Sequence, residues 1–318
     1  MVRKLSFLCI SLLLISFVIP VSSFGGDSKA ILRLALLPIP DVLPVYVALE
    51  KGYFKELGVE VEPLSVGSAL ERDQLMQAGR VDGMINEISG AANFNRDKNQ
   101  VKIISVARSP IGDNPLFRIL AAPGSGITTV AGLAGVPIGI SKNTVIEYIS
   151  TRLLTSGGLM SEEIKYKSIP VLPERLQLLL QGQVKAVTLP DPLGAAAIKA
   201  GAIEVVNDTD RSDVSASVIT FSIDSLENKT DLVKNFMIAW EKAAQDLNKD
   251  PAAYEELMLK KIRVPKNIQG EFAIPPMPIK ALPTEVQWDD VMAWMVERKL
   301  LAAPLAYEES VTSDFLPK

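Results

Sequence analysis

The chain has 318 residues, 48% of them hydrophobic and 22% charged, and its 33 basic and 37 acidic side chains give a formal net charge of −4. This acidic balance, without a basic run, argues against a nucleic-acid partner and an anionic-membrane surface. The sequence has no histidine and one cysteine, Cys9, which excludes Ser-His-Asp and Cys-His nucleophiles, His or Cys zinc sites and disulfides. We therefore expect no cofactor and no metal site; a carboxylate-only calcium or magnesium site stays open, although no D-x-D-x-D-G loop is present.

The N-terminus has the features of a signal peptide. Arg3 and Lys4 precede an apolar run over 5–19, which is shorter than the roughly 20 residues that a spanning helix needs. Cys9 lacks the Leu-small-small-Cys arrangement of a lipoprotein cleavage site. We predict a cleaved signal peptide at 1–23 and a free protein in the periplasm, not a lipoprotein. An uncleaved signal anchor is the alternative.

The segment 34–61, LALLPIPDVLPVYVALEKGYFKELGVEV, contains the most informative pattern in the chain. The apolar run 34–37 ends at proline and predicts a strand that is buried on both faces. Apolar residues at helical spacing predict a helical stretch over 45–57, in which Gly52 stops the first turns and for which Asp41 can provide the cap. Over 59–61 valines alternate with glutamate, which favours a second strand.

The alternation of strands and helices continues to the C-terminus. Further strands are predicted at 83–85, 101–106, 117–121, 136–140, 164–169, 182–189 and 218–222, and further helices at 69–78, 90–97, 144–156, 174–181, 231–247, 251–260 and 285–299. This order predicts an α/β protein with mainly parallel sheets covered by helices. The proline-rich segment 264–284 is expected to be an ordered loop. Trp288 and Trp294 follow helical spacing, which predicts that they pack the last helix against the first lobe.

The pattern P-x-x-x-P-x-x-x-A-x-x-x-G-Y-F-x-x-x-G-V-x-V, from Pro40 to Val61, resembles the substrate-binding proteins of ABC importers for nitrate, sulfonates, taurine and thiamine-pyrimidine precursors. The similarity extends from about Ile31 to the C-terminus. It includes GSALERDQLMQAGRVDG at 67–83, LPDP at 189–192 and WDDVMAWMVERKLLAAPLAYEESV at 288–311. A Rossmann-like strand and helix in an α/β enzyme is the alternative for the first block.

The resemblance implies a two-lobed periplasmic binding protein fold of type II, in which two hinge crossings join the lobes. We expect the first lobe at 30–119 plus 217–318 and the second lobe at 120–216. The chain length left after the signal peptide also exceeds what one compact core usually holds, which independently favours two domains.

Ligand-binding candidates fall in five loops, if the cleft lies beyond the carboxyl ends of the strands. They are Asp41, Leu43, Gly67, Ser68, Asn86, Glu87, Ser141, Asn143, Thr144 and Asp191. Gly67 lets the backbone approach a ligand, and Ser68 precedes a helix whose free N–H groups can bind an anion or a polar edge. Ser141, Asn143 and Thr144 stand in the same relation to the first helix of the second lobe. Ordinary helix capping is the alternative for these residues.

The charges of these loops indicate the ligand. Asp41, Glu87 and Asp191 follow predicted strands, whereas Lys142 is the only basic residue in the five loops. Carboxylates repel anions such as nitrate or a small sulfonate, and they accept hydrogen bonds from amino or ring N–H groups. We therefore predict a donor-bearing ligand, such as an aminopyrimidine or another nitrogenous metabolite. Arg108 would reverse this argument if it reached the cleft.

The leading functional hypothesis is a periplasmic receptor without catalytic activity. The resemblance implies that it acts as a monomer that captures a small organic solute and delivers it to an ABC permease. The chain has no Walker loop, so the ATPase would be a separate subunit. The alternatives are a two-lobed enzyme of pyrimidine or menaquinone precursor synthesis, which the lack of histidine disfavours, and a sensor that presents ligand to a membrane receptor.

Overall fold

The computed structural model describes residues 31–318, so the predicted signal peptide lies outside the described residues. The strands are β1 (Ile31–Leu36), β2 (Glu60–Ser65), β3 (Gly83–Glu87), β4 (Val101–Arg108), β5 (Phe117–Ala121), β6 (Pro137–Ile140), β7 (Lys165–Ser168), β8 (Ala186–Pro190), β9 (Ile203–Asn207) and β10 (Ser217–Ser222). The helices are α1 (Leu43–Glu50), α2 (Tyr53–Glu56), α3 (Ala69–Gln77), α4 (Ile88–Asn95), α5 (Val145–Ser156), α6 (Leu172–Leu180), α7 (Leu193–Lys199), α8 (Ile223–Asn228), α9 (Thr230–Lys249), α10 (Glu255–Lys261), α11 (Glu285–Glu297) and α12 (Tyr307–Ser310). Within this part of the chain, every helix is too short or too polar to cross a membrane.

The strands form two five-stranded sheets, in the orders β2-β1-β3-β10-β4 and β7-β6-β8-β5-β9. The strands β1 and β6, each second from an edge of its sheet, pair in parallel with both of their neighbours. By contrast, β10 and β5 run antiparallel to both of theirs. Each sheet is therefore mixed. The reason lies in the crossings between the sheets. β5 and β10 are the first strands that the chain forms after crossing from one sheet to the other, and each begins near the place where the preceding strand, β4 or β9, has ended.

The chain crosses between the two sheets at 109–116 and again at 208–216, which gives two lobes. We call the unit built on β1 the first lobe and the unit built on β6 the second lobe. Because β5 lies wholly in the second sheet, a boundary between 119 and 120 would divide a strand. The predicted division into 30–119 plus 217–318 and 120–216 stays a prediction, and we propose to move its first boundary to the crossing at 109–116.

Most predicted elements are confirmed, with four omissions. The helical stretch predicted over 45–57 is α1 followed by α2, and Gly52 separates them, as predicted, with a φ of 76° that favours glycine. The prediction omitted α7, β9, α8 and α12. The sequence of α7, LGAAAIK, has too few large apolar residues to show a helical period.

Three apolar clusters form the core. The first covers one face of the first sheet with α1, α2 and α9, where the rings of Phe54 in α2 and Phe236 in α9 stack 5.3 Å apart. The second is continuous between the lobes and combines residues of α4, α5 and α11. The third packs α6 and α7 on the second sheet.

Helix α11 contacts both lobes, which the sequence did not indicate. Trp288 and Trp294 are fully buried, so their predicted packing role is confirmed. However, Trp294 meets Tyr148 of α5 edge-on at 5.5 Å. Asp290 of the same helix accepts hydrogen bonds from Tyr148 Oη at 2.6 Å and Arg152 Nε at 2.8 Å. The last long helix therefore packs against the second lobe as well as the first.

Candidate functional site

A cavity of about 310 Å³ lies beside the first crossing and is lined by residues of both lobes. Its lining consists of Arg108, Asp113, Asn114, Pro115, Arg118, Asp191, Ala195, Ile198, Lys199, Ile268, Glu271, Phe272, Ala273 and Pro275. Two contacts join the lobes here: Asn267 Nδ2 donates to the Ala196 carbonyl at 2.9 Å, and Lys199 Nζ lies 2.8 Å from Glu271. The volume suits a small organic molecule.

Arg108, at the end of β4, reaches this cavity. Its side chain is almost fully buried, and Nη2 donates to the Pro115 carbonyl at 2.8 Å. Nη1 lies 3.3 Å from Asp41 Oδ1. Asp41 stands in the 3-10 turn Pro40–Val42 and makes no capping hydrogen bond to α1. The expected cap is therefore wrong, and Asp41 instead neutralises the arginine that lines the cavity.

Asp191 lines the cavity and is bound to Arg118 of β5. Both carboxylate oxygens of Asp191 accept hydrogen bonds from Arg118, each at 2.9 Å, and Glu204 binds the same guanidinium. Burial opposes the charge of Arg118, but the two carboxylates outweigh burial and raise its pKa. Asp191 Oδ1 also accepts the N–H of Ala195 at 3.0 Å, which holds the first turn of α7.

Glu87 is likewise paired with a buried arginine. Arg72 of α3 is 2% exposed, and its Nη2 lies 3.2 Å from Glu87 Oε2. Arg72 Nη1 donates to the Ile85 carbonyl in β3, and Nε donates to Asp73 at 2.8 Å. The carboxylate at the end of β3 is thus held by the helix before the strand.

Arg175 of α6 occupies the corresponding place in the second lobe, without a carboxylate. Its Nη1 donates to the Thr188 carbonyl in β8 at 2.7 Å, as Arg72 does to Ile85 in β3. Nε donates to the Ile169 carbonyl at 2.8 Å, and Nη2 donates to Ser141 Oγ at 2.5 Å. Burial lowers the pKa of Arg175 to about 10. One guanidinium therefore holds together the ends of three strands.

The remaining predicted residues do not line the cavity. Leu43 is fully buried in the first core cluster, and Asn86 is buried with Oδ1 accepting from Thr220 at 2.6 Å. Gly67 and Ser68 are exposed, and Ser68 caps α3 through the Glu71 N–H.

The loop 141–144 follows β6 in the second lobe. Thr144 caps α5 through the Ile146 N–H, and Asn143 has a φ of 60°. The capping alternative thus holds for Ser68 and Thr144, and a ligand contact at any of these loop residues stays a prediction.

The three carboxylates behind the donor-ligand hypothesis are each paired with an arginine, so they are not free acceptors as the loop charges suggested. Nevertheless, the cavity does not collect positive charge. Its lining has three cations, Arg108, Arg118 and Lys199, and three carboxylates, Asp113, Asp191 and Glu271. Asp41 and Glu204, bound to the two arginines, add two further carboxylates. An anion entering the cavity would meet cations that each already have a carboxylate partner, although Arg108 Nε is buried without a hydrogen-bond partner.

Asp191→Asn is expected to lower the free energy of unfolding by about 2 to 3 kcal/mol, because the change removes half of a buried, two-bond contact with Arg118. Urea unfolding followed by circular dichroism measures the loss. Asp113→Asn is the matched control, since Asp113 is exposed, and its effect is expected to stay within about 0.5 kcal/mol. Equal effects of the two changes would show that the Asp191 pair contributes no specific stability.

Solved structures define the class of fold. The ligand-binding component of an ABC-type import system from Staphylococcus aureus, with zinc bound, is 14% identical, has a TM-score of 0.74, and the match covers 90% of this chain and 98% of that one. The alkanesulfonate-binding protein SsuA from Xanthomonas axonopodis pv. citri, bound to MOPS, is 17% identical with a TM-score of 0.72 over 89% and 98% of the two chains. The desulfurization enzyme DSZB is 17% identical with a TM-score of 0.65 over 89% and 97%. The chain therefore has the two-lobed periplasmic binding protein fold of type II, which binding proteins and an enzyme share.

The family follows from the sequence itself. Residues 39–254 match the model of the NMT1/THI5-like family, which is more than half of the chain, and the protein belongs to this family. Curated proteins give no match to the sequence.

Proposed function

We propose that the protein is a periplasmic receptor, not an enzyme, that binds a small uncharged or cationic nitrogen-bearing solute between its lobes and delivers it to an ABC permease with a separate ATPase subunit. The observation that carries this proposal is the cavity beside the first crossing, to which both lobes contribute side chains. Closure of two lobes over a solute presents a different surface to a partner from that of the open form. This is the physical basis on which a receptor can signal that it is loaded.

Binding is favoured over catalysis by the state of the charged groups. Arg108 is bound to Asp41, Arg118 to Asp191, and Lys199 to Glu271. A general acid or base must exchange its proton with the substrate, whereas these groups hold their charges in mutual contacts. They suit a site that orients a solute. The DSZB likeness keeps an enzyme as the second candidate, because an enzyme can be built on this fold.

The charge of the proposed solute follows from the same contacts. With Asp41 and Glu204 included, the carboxylates in and behind the lining outnumber the cations by five to three. An added anion would be repelled by this excess, while an amine would be attracted and a neutral amide tolerated. Ile198, Ile268 and Phe272 provide an apolar surface for the body of the solute.

Four pyridines that differ in one substituent test the proposal. Nicotinamide is neutral, 3-picolylamine is cationic, and nicotinate and pyridine-3-sulfonate are anionic at neutral pH. Thermal shift and calorimetry on the purified protein are expected to rank the amide and the amine above both anions. A probe at 100 times its Kd adds about 2.7 kcal/mol to the free energy of unfolding. If the protein prefers the anions, the receptor function stands and the charge argument is wrong. If none of the four probes binds, the cavity is rejected as the site.

A cavity-filling variant locates the binding. Ala195 of α7 lines the cavity, whereas Ala200, at the end of the same helix, is exposed and outside the lining. Ala195→Phe is expected to abolish binding of the best probe, and Ala200→Phe to leave it unchanged. Equal binding by the two variants would place the solute elsewhere. Co-purification with a permease then separates transport from the sensor alternative.

A further inference from the structure

Arg108 differs from the two other buried arginines of the described residues. Arg72, Arg108 and Arg175 are each at most 2% exposed. In Arg72 and Arg175, the Nε, Nη1 and Nη2 atoms all donate hydrogen bonds. In Arg108, Nη1 donates to Asp41 and Nη2 to the Pro115 carbonyl, whereas Nε is buried without a hydrogen-bond partner. Because a buried N–H group without an acceptor is costly, this donor requires an explanation.

The direction of the unfilled donor follows from the shape of the guanidinium group. The Nε–H bond and one N–H bond of Nη2 form a planar fork and point the same way. Arg118 uses this fork to hold both carboxylate oxygens of Asp191, each at 2.9 Å. In Arg108, the Nη2 half of the fork donates to the Pro115 carbonyl at 2.8 Å, and the Nε half is unfilled. Arg108 and Pro115 both line the cavity, so the unfilled half lies at the cavity wall.

A half-filled fork suits one acceptor oxygen and not two. Carboxylate and sulfonate groups bind arginine best through two oxygens, one on each half of the fork. The Pro115 carbonyl already occupies the Nη2 half of Arg108, and Asp41 neutralises the guanidinium from Nη1 at 3.3 Å. The second oxygen of an anion would therefore lack a donor on Arg108, and its charge would meet the excess of carboxylates around the cavity. A single carbonyl oxygen of an uncharged molecule avoids both costs.

We propose that Arg108 is the specificity-determining residue of the cavity, and that its Nε donates a hydrogen bond to one carbonyl oxygen of an uncharged solute. The solute class is then a neutral carbonyl compound, such as a carboxamide or a lactam. Ile268 and Phe272 of the lining pack against its apolar part. The proposal rests on the proposed function, because it takes the cavity as the binding site, and it narrows the solute to molecules with a carbonyl group.

Two pyridines that differ in one oxygen test this role. 3-Acetylpyridine and 3-ethylpyridine have the same ring nitrogen, nearly the same size and no charge at neutral pH, but only the first has a carbonyl group. Calorimetry on the purified protein is expected to give at least about tenfold tighter binding of the ketone, because hydrogen bonds to charged groups are among the stronger ones. In nuclear magnetic resonance spectra, the Nε–H proton of Arg108 is expected to shift downfield with 3-acetylpyridine alone, since hydrogen bonding deshields it.

A double variant assigns the preference to Arg108. Arg108→Met combined with Asp41→Asn removes the donor together with its counter-charge, so that no unpaired charge stays buried. This variant should bind the two probes within about twofold of each other, because the oxygen no longer finds a donor. Asp41→Asn alone is the matched control. It retains the Nε–H group of Arg108 and should retain the tenfold preference.

The outcomes separate this role from the proposed function. Equal affinity of the wild-type protein for the two probes would overturn the role of Arg108 and leave the receptor function standing. Tighter binding of nicotinate than of 3-acetylpyridine would overturn the preference for a single neutral oxygen. If neither uncharged probe binds, the cavity is rejected as the site, and the role of Arg108 is rejected with it. Should the double variant fail to fold, the wild-type affinities and the Nε–H shift decide by themselves.

Discussion

Trp294→Ala is expected to lower the free energy of unfolding by about 3 to 5 kcal/mol, the range for truncating a large buried aromatic side chain. Trp294 is 1% exposed and packs edge-on against Tyr148 in the cluster that spans both lobes. Its removal creates a cavity between α11 and α5, where neither helix can move without losing other contacts. Urea unfolding measures the loss, followed by far-ultraviolet circular dichroism because this signal does not depend on tryptophan fluorescence.

Trp288→Ala is the comparison for this prediction. Trp288 is equally buried, but its indole N–H donates to the Leu305 carbonyl and its ring meets Tyr307, both in the C-terminal segment. We expect both variants to lose stability, and Trp294→Ala alone to separate the unfolding of the lobes into two transitions. A single transition in Trp294→Ala, with a loss below about 1 kcal/mol, would contradict the bridging role of α11.

Arg175→Met is expected to lower the free energy of unfolding by about 3 kcal/mol. The change leaves the Ile169 and Thr188 carbonyls and the Ser141 hydroxyl without their donor, and unsatisfied buried polar groups are costly. Removing a buried charge offsets part of this loss, because burial disfavours the guanidinium and lowers its pKa. Equilibrium urea unfolding provides the measurement.

Arg80→Met supplies the control for Arg175→Met, since Arg80 is exposed, and its effect should stay within about 0.5 kcal/mol. Arg175→Lys retains the charge but cannot reach three acceptors at once, so it should recover only part of the loss. Full recovery by lysine would show that charge, and not the hydrogen bonds to three strand ends, is what the second lobe requires.

The paired arginines also explain why charge in the loops was a poor guide to the ligand. Asp41, Glu87 and Asp191 lie at strand ends, as expected. Their partners Arg108, Arg72 and Arg118 lie outside the five loops, in β4, α3 and β5. A count restricted to loops therefore misses the cations. The proposal that the solute is not an anion therefore rests on a different basis, namely that carboxylates outnumber cations in and behind the lining of the cavity.

Local patterns were sufficient for most of the elements and for the α/β class. The apolar run before Pro38 predicted β1, the alternation around Val59 predicted β2, and helical spacing predicted α3, α5, α9 and α11. Ser68 and Thr144 do cap the helices that follow them. These features depend on residues a few positions apart, which is the range over which periodicity and capping act.

The sequence by itself determined most of the strands and helices and the lack of histidine and cysteine chemistry in the described residues, and its resemblance to a known family gave the two-lobed class. Only the tertiary structure decided the site. Asp191 meets Arg118 across 73 positions and Asp41 meets Arg108 across 67. The physical reason is that ion pairs and buried hydrogen bonds form between groups that folding brings within about 3 Å, and no local period records that proximity.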